Sequence, residues 1–172
     1  MGEGTGTGTR IGLVSDTHLL PRGGAVVLPE SLVTGLAGVE AILHAGDIAC
    51  VEVLEALARL APVHAVCGNV DSPRLGLPSR LLLHLHGVAV GLTHGHLGPG
   101  RTTAERAVRA FPEGPAVVVF GHSHEPVIEQ RPGGPLLVNP GSPTQPRGRR
   151  PTFALLKLGG DGSPPVAHLV AL

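Results

Sequence analysis

Short apolar runs alternate with helical segments through the first half of the chain. The runs Ile11–Val14, Ala41–Ala45 and Val63–Cys67 each predict a buried strand that ends in polar residues. Between them, Pro29–Val39 and Val51–Leu60 predict helices, the second from its apolar residues at helical spacing. Strands that alternate with helices indicate βαβ units and therefore a parallel sheet.

The second half of the chain is richer in strands. Three pairs of segments flank turn sequences and predict hairpins: Arg80–His86 with Val88–Thr93, Pro126–Gln130 with Leu136–Val138, and Thr152–Leu158 with Val166–Val170. Thr102–Phe111 predicts a further helix, and Ala116–Phe120 a further strand. The whole pattern predicts an α/β fold in which two mixed sheets pack together with helices outside. Without a repeat or long linker, residues 10–172 are expected to form one domain after a flexible lead-in, residues 1–9.

Composition narrows the classes of partner. The formal net charge is zero and the pI is about 7.2, which gives no broad electrostatic footprint for nucleic acid or an anionic membrane. The only aromatic residues are three Phe, so stacking of bases on aromatic side chains is a poor hypothesis. A mean hydropathy of +0.25 with 15% charged residues indicates a large aliphatic interior.

The N-terminal residues are a Gly/Thr run without the apolar core of a signal peptide. The longest apolar runs are too short to span a bilayer. We therefore expect a cytoplasmic protein without a membrane partner. The sequence does not determine the oligomeric state, and a homo-oligomer stays open.

Polar residues of one chemical kind follow the predicted strands. They are Asp16, His18, Asp47, Asn69, His94, His96, His122 and His124. Imidazole, carboxylate and amide oxygen together suit divalent first-row metals. Because the carboxyl ends of strands collect ligand sites in such sheets, these residues predict a metal centre there.

The spacing of these residues adds to that prediction. Asp16 and His18, and likewise His122 and His124, are two positions apart, so on an extended backbone both members of a pair point to one face. Neighbouring glycines allow the backbone to come close to an ion: Gly46, Gly68, Gly95 and Gly121.

Seven ligands are too many for a single tetrahedral zinc ion. The set without His96 suits two metal ions that share a bridging carboxylate and hold a hydroxide nucleophile near neutral pH. The reaction class that most needs this arrangement is phosphoryl transfer to water.

Simpler interpretations apply to single residues. The other five histidines, His44, His64, His84, His86 and His168, are expected to have no catalytic role because none lies in a glycine-bounded motif at a strand end. Asp47 alone could cap a helix that starts near Val51, and Gly-His-Ser-His alone could be a turn. Five such motifs after successive strands favour the metal centre.

Together these motifs resemble the calcineurin-like metallophosphoesterase superfamily. The motifs are Asp16-x-His18, Gly46-Asp47, Gly68-Asn69-Val70-Asp71, His94-Gly95-His96 and Gly121-His122-Ser123-His124. The short chain and the segment Asn139-Pro140-Gly141-Ser142 are similar to the small bacterial and archaeal phosphodiesterases of this superfamily.

The resemblance implies a four-layer αββα sandwich and a dinuclear centre. One metal ion would be held by Asp16, His18, Asp47 and His124, and the other by Asp47, Asn69, His94 and His122. Asp47 would bridge the ions, and Asn69 would also bind a phosphate oxygen of the substrate. Manganese is the expected metal, with iron, zinc, nickel and cobalt as alternatives for the same ligands.

One position departs from the superfamily pattern. Many members have a histidine after the Asn of the third motif, often assigned to protonating the leaving group, whereas this chain has Val70, which cannot donate a proton. His96 is the candidate replacement, both as acid and as a substrate contact. Asp71 is a second catalytic candidate that would orient a ligating histidine, or else a turn residue that caps Ser72-Pro73.

Arg147 follows the Asn-Pro-Gly-Ser segment and is a candidate clamp for phosphate, or else part of a solvated basic loop.

The favoured function is a metal-dependent phosphodiesterase for small phosphoester substrates, since zero net charge argues against long polyanions. Two alternatives stay open. One is a phosphomonoesterase or dinucleoside-polyphosphate hydrolase, and the other a non-catalytic scaffold like the retromer subunit of the superfamily.

Overall fold

Ten strands form two mixed five-stranded sheets in the computed structural model, which describes residues 8–147, 150–159 and 162–172. The strands are β1 Thr9–Val14, β2 Ala41–His44, β3 Val63–Ala65, β4 Arg80–Leu85, β5 Val88–Thr93, β6 Val117–Val119, β7 Val127–Gln130, β8 Leu136–Asn139, β9 Thr152–Leu158 and β10 Val166–Ala171. The helices are α1 Glu30–Gly35, α2 Val51–Ala58 and α3 Thr103–Arg109, with a 3₁₀ helix at Pro73–Leu75. Residues 1–7 of the predicted lead-in lie outside the described residues, and Thr9 already belongs to β1.

The first sheet has the strand order β10-β9-β1-β2-β3. Its strands β1, β2 and β3 are parallel, as the alternation of strands and helices predicts, and β9 and β10 add an antiparallel hairpin. The second sheet has the order β4-β5-β6-β8-β7, with β5, β6 and β8 parallel and an antiparallel strand at each edge. All three predicted hairpins are confirmed.

The sheets pack face to face with helices on both outer faces, which confirms the predicted αββα sandwich. Aliphatic side chains from both sheets fill the space between them, including Ile11, Leu43, Leu92 and Val119. A second cluster joins the outer face of the first sheet to α1 and α2, and a third joins α3 to the second sheet. The longest helix in the described residues has eight residues, so no helix there can cross a membrane.

Several elements are shorter than their patterns predict. The helix predicted over Pro29–Val39 ends at Gly35, and Gly38 turns the chain with a φ of +73°. The strand predicted over Val63–Cys67 ends at Ala65, and the amide of Cys67 then donates to Pro78 O at 2.9 Å. Such boundaries depend on tertiary hydrogen bonds that a local pattern does not contain.

His44 lies at the end of β2 and is fully buried. Its Nδ1 accepts a hydrogen bond from the amide of Gly46 at 3.2 Å, so the protonated Nε2 donates to Thr17 Oγ1 at 3.1 Å. The Thr17 hydroxyl in turn donates to Ile48 O at 3.3 Å. The neutral imidazole therefore connects the loop after β1 to the loop after β2, a structural role that the absence of a strand-end motif did not reveal.

We predict a pH dependence of stability from His44. Burial is the largest cause that lowers the pKa of His44 from 6.5 to about 3, so the unfolded chain takes up the proton first as the pH falls. The stabilisation is complete above pH 6.5 and is lost between pH 6.5 and about 3, at about 1.4 kcal/mol per pH unit. The measurement is urea unfolding of the metal-free wild type and of His44→Asn, both in the presence of chelator. The pH is varied from roughly 7.5 to 4.5, a range that includes the ordinary histidine pKa.

The readout is the difference in free energy of unfolding between the two proteins, which should shrink as the pH falls. All other titrating groups are present in both proteins, so their contributions to this difference cancel to first order. A difference in free energy of unfolding that stays constant over this pH range would show that His44 does not stay neutral in the fold.

Candidate metal centre

Loops from both sheets meet at one edge of the sandwich. In the first sheet, the amide of Asp16 donates to Gly46 O at 3.0 Å and that of His18 donates to Asp47 O at 3.1 Å. In the second sheet, the amide of Gly121 donates to the carbonyl of His94 at 3.2 Å. Backbone hydrogen bonds therefore join the loop after β1 to the loop after β2, and the loop after β5 to the loop after β6. Between the sheets, the amide of His122 donates to the Asp16 carboxylate at 3.1 Å.

Four of the predicted ligands form a tight cluster, the first donor group: Asp16, His18, Asp47 and His124. One ligand atom from each lies within 4.8 Å of the others. Nε2 of His18 is 3.2 Å from Nε2 of His124, and the latter is 3.4 Å from Asp16 Oδ1. These distances are suitable for side chains that surround one divalent cation.

The remaining predicted ligands adjoin it in a second donor group: Asp47, Asn69, His94 and His122. Oδ1 of Asn69 is 3.0 Å from His94 Nε2 and 2.9 Å from His122 Nδ1. His94 Nε2 is also 3.3 Å from Asp47 Oδ1. The structure therefore brings together all seven residues that the sequence predicted as ligands.

The Asp47 carboxylate belongs to both groups. Its Oδ2 is 3.5 Å from His18 Nε2 in the first group, and its Oδ1 is 3.3 Å from His94 Nε2 in the second. One carboxylate therefore presents a separate oxygen to each group of donors.

The backbone at the paired ligands is not extended, which corrects the geometric reason given for their spacing. Asp16 and His18 have φ values of +54° and +44°, and His122 and His124 have +70° and +58°. Asp47 has +55°. Each pair points into one site because two left-handed residues make a tight turn beyond the strand end, a conformation that is costly for residues other than glycine.

Two of the predicted glycines are required by close approach. A Cβ at Gly68 would overlap the carboxylate of Asp47, and a Cβ at Gly121 would overlap the Ser15 hydroxyl and approach Asp16. Any other residue at Gly68 or Gly121 would push a ligating carboxylate out of the site.

Backbone carbonyls fix the tautomers of two predicted ligands, His94 and His124. Nδ1–H of His94 donates to Ala45 O at 2.8 Å, and Nδ1–H of His124 donates to Gln145 O at 2.6 Å. Carbonyls only accept, so the Nε2 lone pair of each neutral ring is left to face the donor group. Histidines that bind metals typically donate a hydrogen bond of this kind from the ring nitrogen that does not face the metal.

The electrostatics of the site also favour a cation. Burial is the largest cause that raises the pKa of Asp16, and the Asp47 charge raises it too, although His94 and His124 lower it. Burial opposes the charged form of Asp47 as well, but hydrogen bonding and charge from His94 lower its pKa to about 2. Burial opposes the charged form of His94, but Asp47, which accepts a hydrogen bond from Nε2–H of the protonated ring, and the two carboxylate charges outweigh it and raise the pKa. A metal ion at this position would take the place of that proton.

The described residues therefore fit a divalent metal ion. Carboxylate oxygens, imidazole lone pairs and an amide oxygen converge, and among the described residues no Lys or Arg hydrogen bonds to either buried carboxylate. Acceptors packed this closely repel one another unless a cation lies between them.

His96 lies beside the second donor group rather than within it. Its ring centroid is 5.1 Å from that of His94 and 6.3 Å from that of His122. Its Nδ1 is buried without a hydrogen-bond partner among the described residues. Burial and the neighbouring His94 and Arg106 lower the pKa of His96.

Asp71 makes different contacts from those the sequence suggested. Its Oδ1 accepts hydrogen bonds from the amides of Ile48 and Ala49 at 2.8 and 2.9 Å, and its Oδ2 accepts one from Gly68 at 2.7 Å. It hydrogen bonds to no histidine in the described part of the chain, and Ser72 itself caps the 3₁₀ helix. Asp71 thus joins the loop after β2 to the loop after β3.

Arg147 is exposed and has no hydrogen bond or ion pair to another described residue, so the structure places it in no contact with the donor groups. Val70 is 53% exposed, and its amide donates to Asp47 Oδ1 at 3.1 Å. Its backbone thus supports a ligand although its side chain cannot donate a proton.

The segment 139–145 supports the site through residues that the pattern did not single out. The buried hydroxyl of Ser142 donates to Asp16 O at 2.7 Å, and Thr144 Oγ1 donates to Thr17 O at 2.5 Å. These bonds hold the left-handed turn that carries two ligands. The Asn-Pro-Gly-Ser motif was the only signal, and it came from family resemblance rather than from chemistry.

The histidines expected to be structural or exposed lie elsewhere in the fold. His84 is on β4, His86 is in the turn after it and His168 is on β10, and all three are exposed. His86 pairs with Glu40, its Nε2 2.7 Å from Oε1.

Comparisons with known proteins identify the family of the chain. The calcineurin-like phosphoesterase superfamily domain matches residues 9–161. A probable metallophosphoesterase of Methanothermobacter thermautotrophicus is 37% identical over 152 residues, 88% of this chain and 87% of that protein. Chain coverage and identity of this extent show common descent of the whole domain.

Two solved structures share the fold. Wild-type Vps29 of Entamoeba histolytica complexed with zinc has a TM-score of 0.73 at 23% identity. The match covers 95% of this chain and 99% of the Vps29 chain. An archaeal phosphodiesterase has a TM-score of 0.69 at 23% identity, over 95% of this chain and 100% of its own. At such identities these two likenesses show the fold alone.

The superfamily match spans most of the chain, and the motifs that carried the resemblance are the residues that converge at the sheet edge. The protein belongs to the calcineurin-like phosphoesterase superfamily.

Proposed function

We propose that this metallophosphoesterase is a dinuclear phosphodiesterase that hydrolyses small phosphodiesters. The observation that carries the proposal is the Asp47 carboxylate, which presents Oδ2 to the first donor group and Oδ1 to the second. A carboxylate shared in this way supports two cations side by side. Manganese is the metal we favour, while iron, zinc, nickel and cobalt suit the same donors.

When bound, such a pair of cations supplies a hydroxide nucleophile near neutral pH and neutralises charge on the phosphoryl oxygens. The residues of the chain prepare for this chemistry. His94 and His124 are held by Ala45 O and Gln145 O with their Nε2 lone pairs directed inward. Asn69 is exposed at the mouth of the site, so its amide is available to a phosphate oxygen as well as to a metal.

The surroundings of the site favour a diester over a monoester. A monoester dianion calls for cationic side chains, but the guanidinium of Arg106 is already bonded to Gly95 O, Gly100 O and Thr103 Oγ1. Residues that lie close in sequence to the site motifs are apolar and exposed instead: Leu20, Val70 and Leu97 are 67%, 53% and 56% exposed. A diester has one negative charge and a second ester group that such side chains can contact.

We predict metal-dependent turnover of bis(p-nitrophenyl) phosphate, faster than that of p-nitrophenyl phosphate. Chelator should abolish it and Mn²⁺ should restore it. Asp47→Ala should lower kcat by about a thousandfold, because one lost electrostatic group in an active site can cost that much. The measurement is p-nitrophenolate release by a preparation whose metal content is known.

His84→Ala is the matched control, since this exposed histidine on β4 touches neither donor group. It should retain the wild-type rate. Full activity of the metal-free protein would refute the proposal, and a metal-loaded protein without turnover of any phosphoester would favour a scaffold instead. A faster rate on the monoester would favour a phosphomonoesterase.

We also predict two metal ions per chain. His124→Ala removes a donor of the first group alone and His122→Ala one of the second group alone, so each variant should lose one ion and keep the other. Elemental analysis after dialysis, with calorimetric titration of Mn²⁺, measures this. Loss of all metal from both variants, or one ion in the wild type, would argue against a dinuclear centre.

We assign protonation of the leaving group to His96, because the side chain of Val70 cannot donate a proton. His96→Gln should slow the hydrolysis of diphenyl phosphate about a hundredfold, which is in the usual range for acid catalysis, because phenolate is a poor leaving group. Bis(p-nitrophenyl) phosphate, whose leaving group needs little help, should slow much less. Equal losses on both substrates, with metal content unchanged, would assign His96 to substrate binding only.

A further inference from the structure

We propose that a groove beside the first donor group binds an apolar ester group of the substrate, the one that stays on phosphorus after hydrolysis. This inference rests on the proposed phosphodiesterase function. The groove has a volume of about 600 Å³, and its lining includes His18, Leu20, Pro21, Val27, Thr144 and Gln145. Because His18 is both a donor and a wall of the groove, the groove is continuous with the reaction site.

One wall is the chain that leaves the first donor group. It passes from His18 through Leu20 to a tight turn, where the amide of Arg22 donates to Ala25 O at 2.8 Å and that of Ala25 donates back at 3.3 Å. The chain then returns past Val27 toward α1. The wall thus begins at a ligand and is closed on itself by backbone hydrogen bonds.

A second part of the lining, Thr144 and Gln145, is hydrogen bonded to residues of the first donor group or beside it. Thr144 donates from its hydroxyl to Thr17 O, and Gln145 accepts from His124 Nδ1 at 2.6 Å. Both parts of the lining are therefore anchored to residues next to or within the first donor group. A group bound between them has a fixed position relative to the reacting phosphorus, as specificity requires.

Part of the groove lining is aliphatic and exposed. Leu20 and Val27 are 67% and 79% exposed, so two branched side chains face solvent in one groove. Arg22 at the turn is the one charged side chain among the groove residues other than His18. Exposed apolar side chains in a concave site gain free energy by contact with an apolar ligand group.

The position of His96 indicates which ester group of the substrate enters the groove. In hydrolysis, water adds to phosphorus, the P–O bond to one ester group breaks, and that group leaves as an alcohol while the other stays in the monoester product. His96 lies beside His94 and His122 of the second donor group, which places the leaving group there. The retained group then points toward His18 and the groove.

The test compares ligands that differ only in apolar size. Calorimetry of the Mn²⁺-loaded protein should show tighter binding of diphenyl phosphate than of dimethyl phosphate. In the double variant Leu20→Ala/Val27→Ala this preference should fall about tenfold, since each truncated aliphatic contact is worth a few-fold to tenfold or more. Both side chains are largely exposed, so their truncation removes no core packing.

Turnover gives the second readout. p-Nitrophenyl phenyl phosphate and p-nitrophenyl methyl phosphate share a leaving group, so their kcat/KM ratio reports the retained group alone. The ratio should fall about tenfold in the double variant, mainly through KM. Val166→Ala, an exposed aliphatic residue on β10, is the matched control and should leave both rates unchanged.

An equal affinity of the wild type for both diesters would overturn the inference, as would a preference that the double variant retains. A preference lost in Arg22→Ala but kept in the double variant would also overturn it, because Arg22, and not the two aliphatic side chains, would then contact the phenyl group. A binding preference without turnover of any phosphoester would instead refute the proposed function and leave the groove assignment standing.

Discussion

The rest of the site depends on the convergence of acceptor atoms at one edge of the sandwich. Asp16 and Asp47 are buried there, and imidazole lone pairs and an amide oxygen face them at hydrogen-bond distances. Taking carboxylates out of water is costly unless positive charge compensates them. Since histidines are the basic side chains in contact with these carboxylates within the described part of the chain, the arrangement is most stable when a divalent cation supplies the charge.

The fold maintains this arrangement against backbone strain. Five of the ligands have left-handed backbones, a conformation that persists only when the surroundings over-determine it. The surroundings here are hydrogen bonds from outside the donor groups: Asp71 bonds three amides of two loops, and Ser142 and Thr144 bond the carbonyls of Asp16 and Thr17. Behind them, the aliphatic layer between the sheets fixes the strands from which the loops emerge.

The two sides of the centre differ in their surroundings, and the difference bears on specificity. Beside the second donor group lies His96, with a buried nitrogen that has no partner among the described residues. Beside the first lies a partly aliphatic groove whose walls are anchored on ligands. A phosphoester substrate would therefore meet chemically distinct environments beside the two donor groups.

The sequence by itself determined the βαβ units, the hairpins, the mixed sheets and the seven candidate ligands, because periodicity and strand-end motifs are local properties of the chain. Only the tertiary structure decided which oxygen of Asp47 faces which group, that Asp71 bonds amides rather than a histidine, and that Arg147 contacts no donor. It also revealed His44 and Ser142, whose roles depend on partners that are 27 and 126 residues away. Such contacts form only when the sheets pack, so no local pattern contains them.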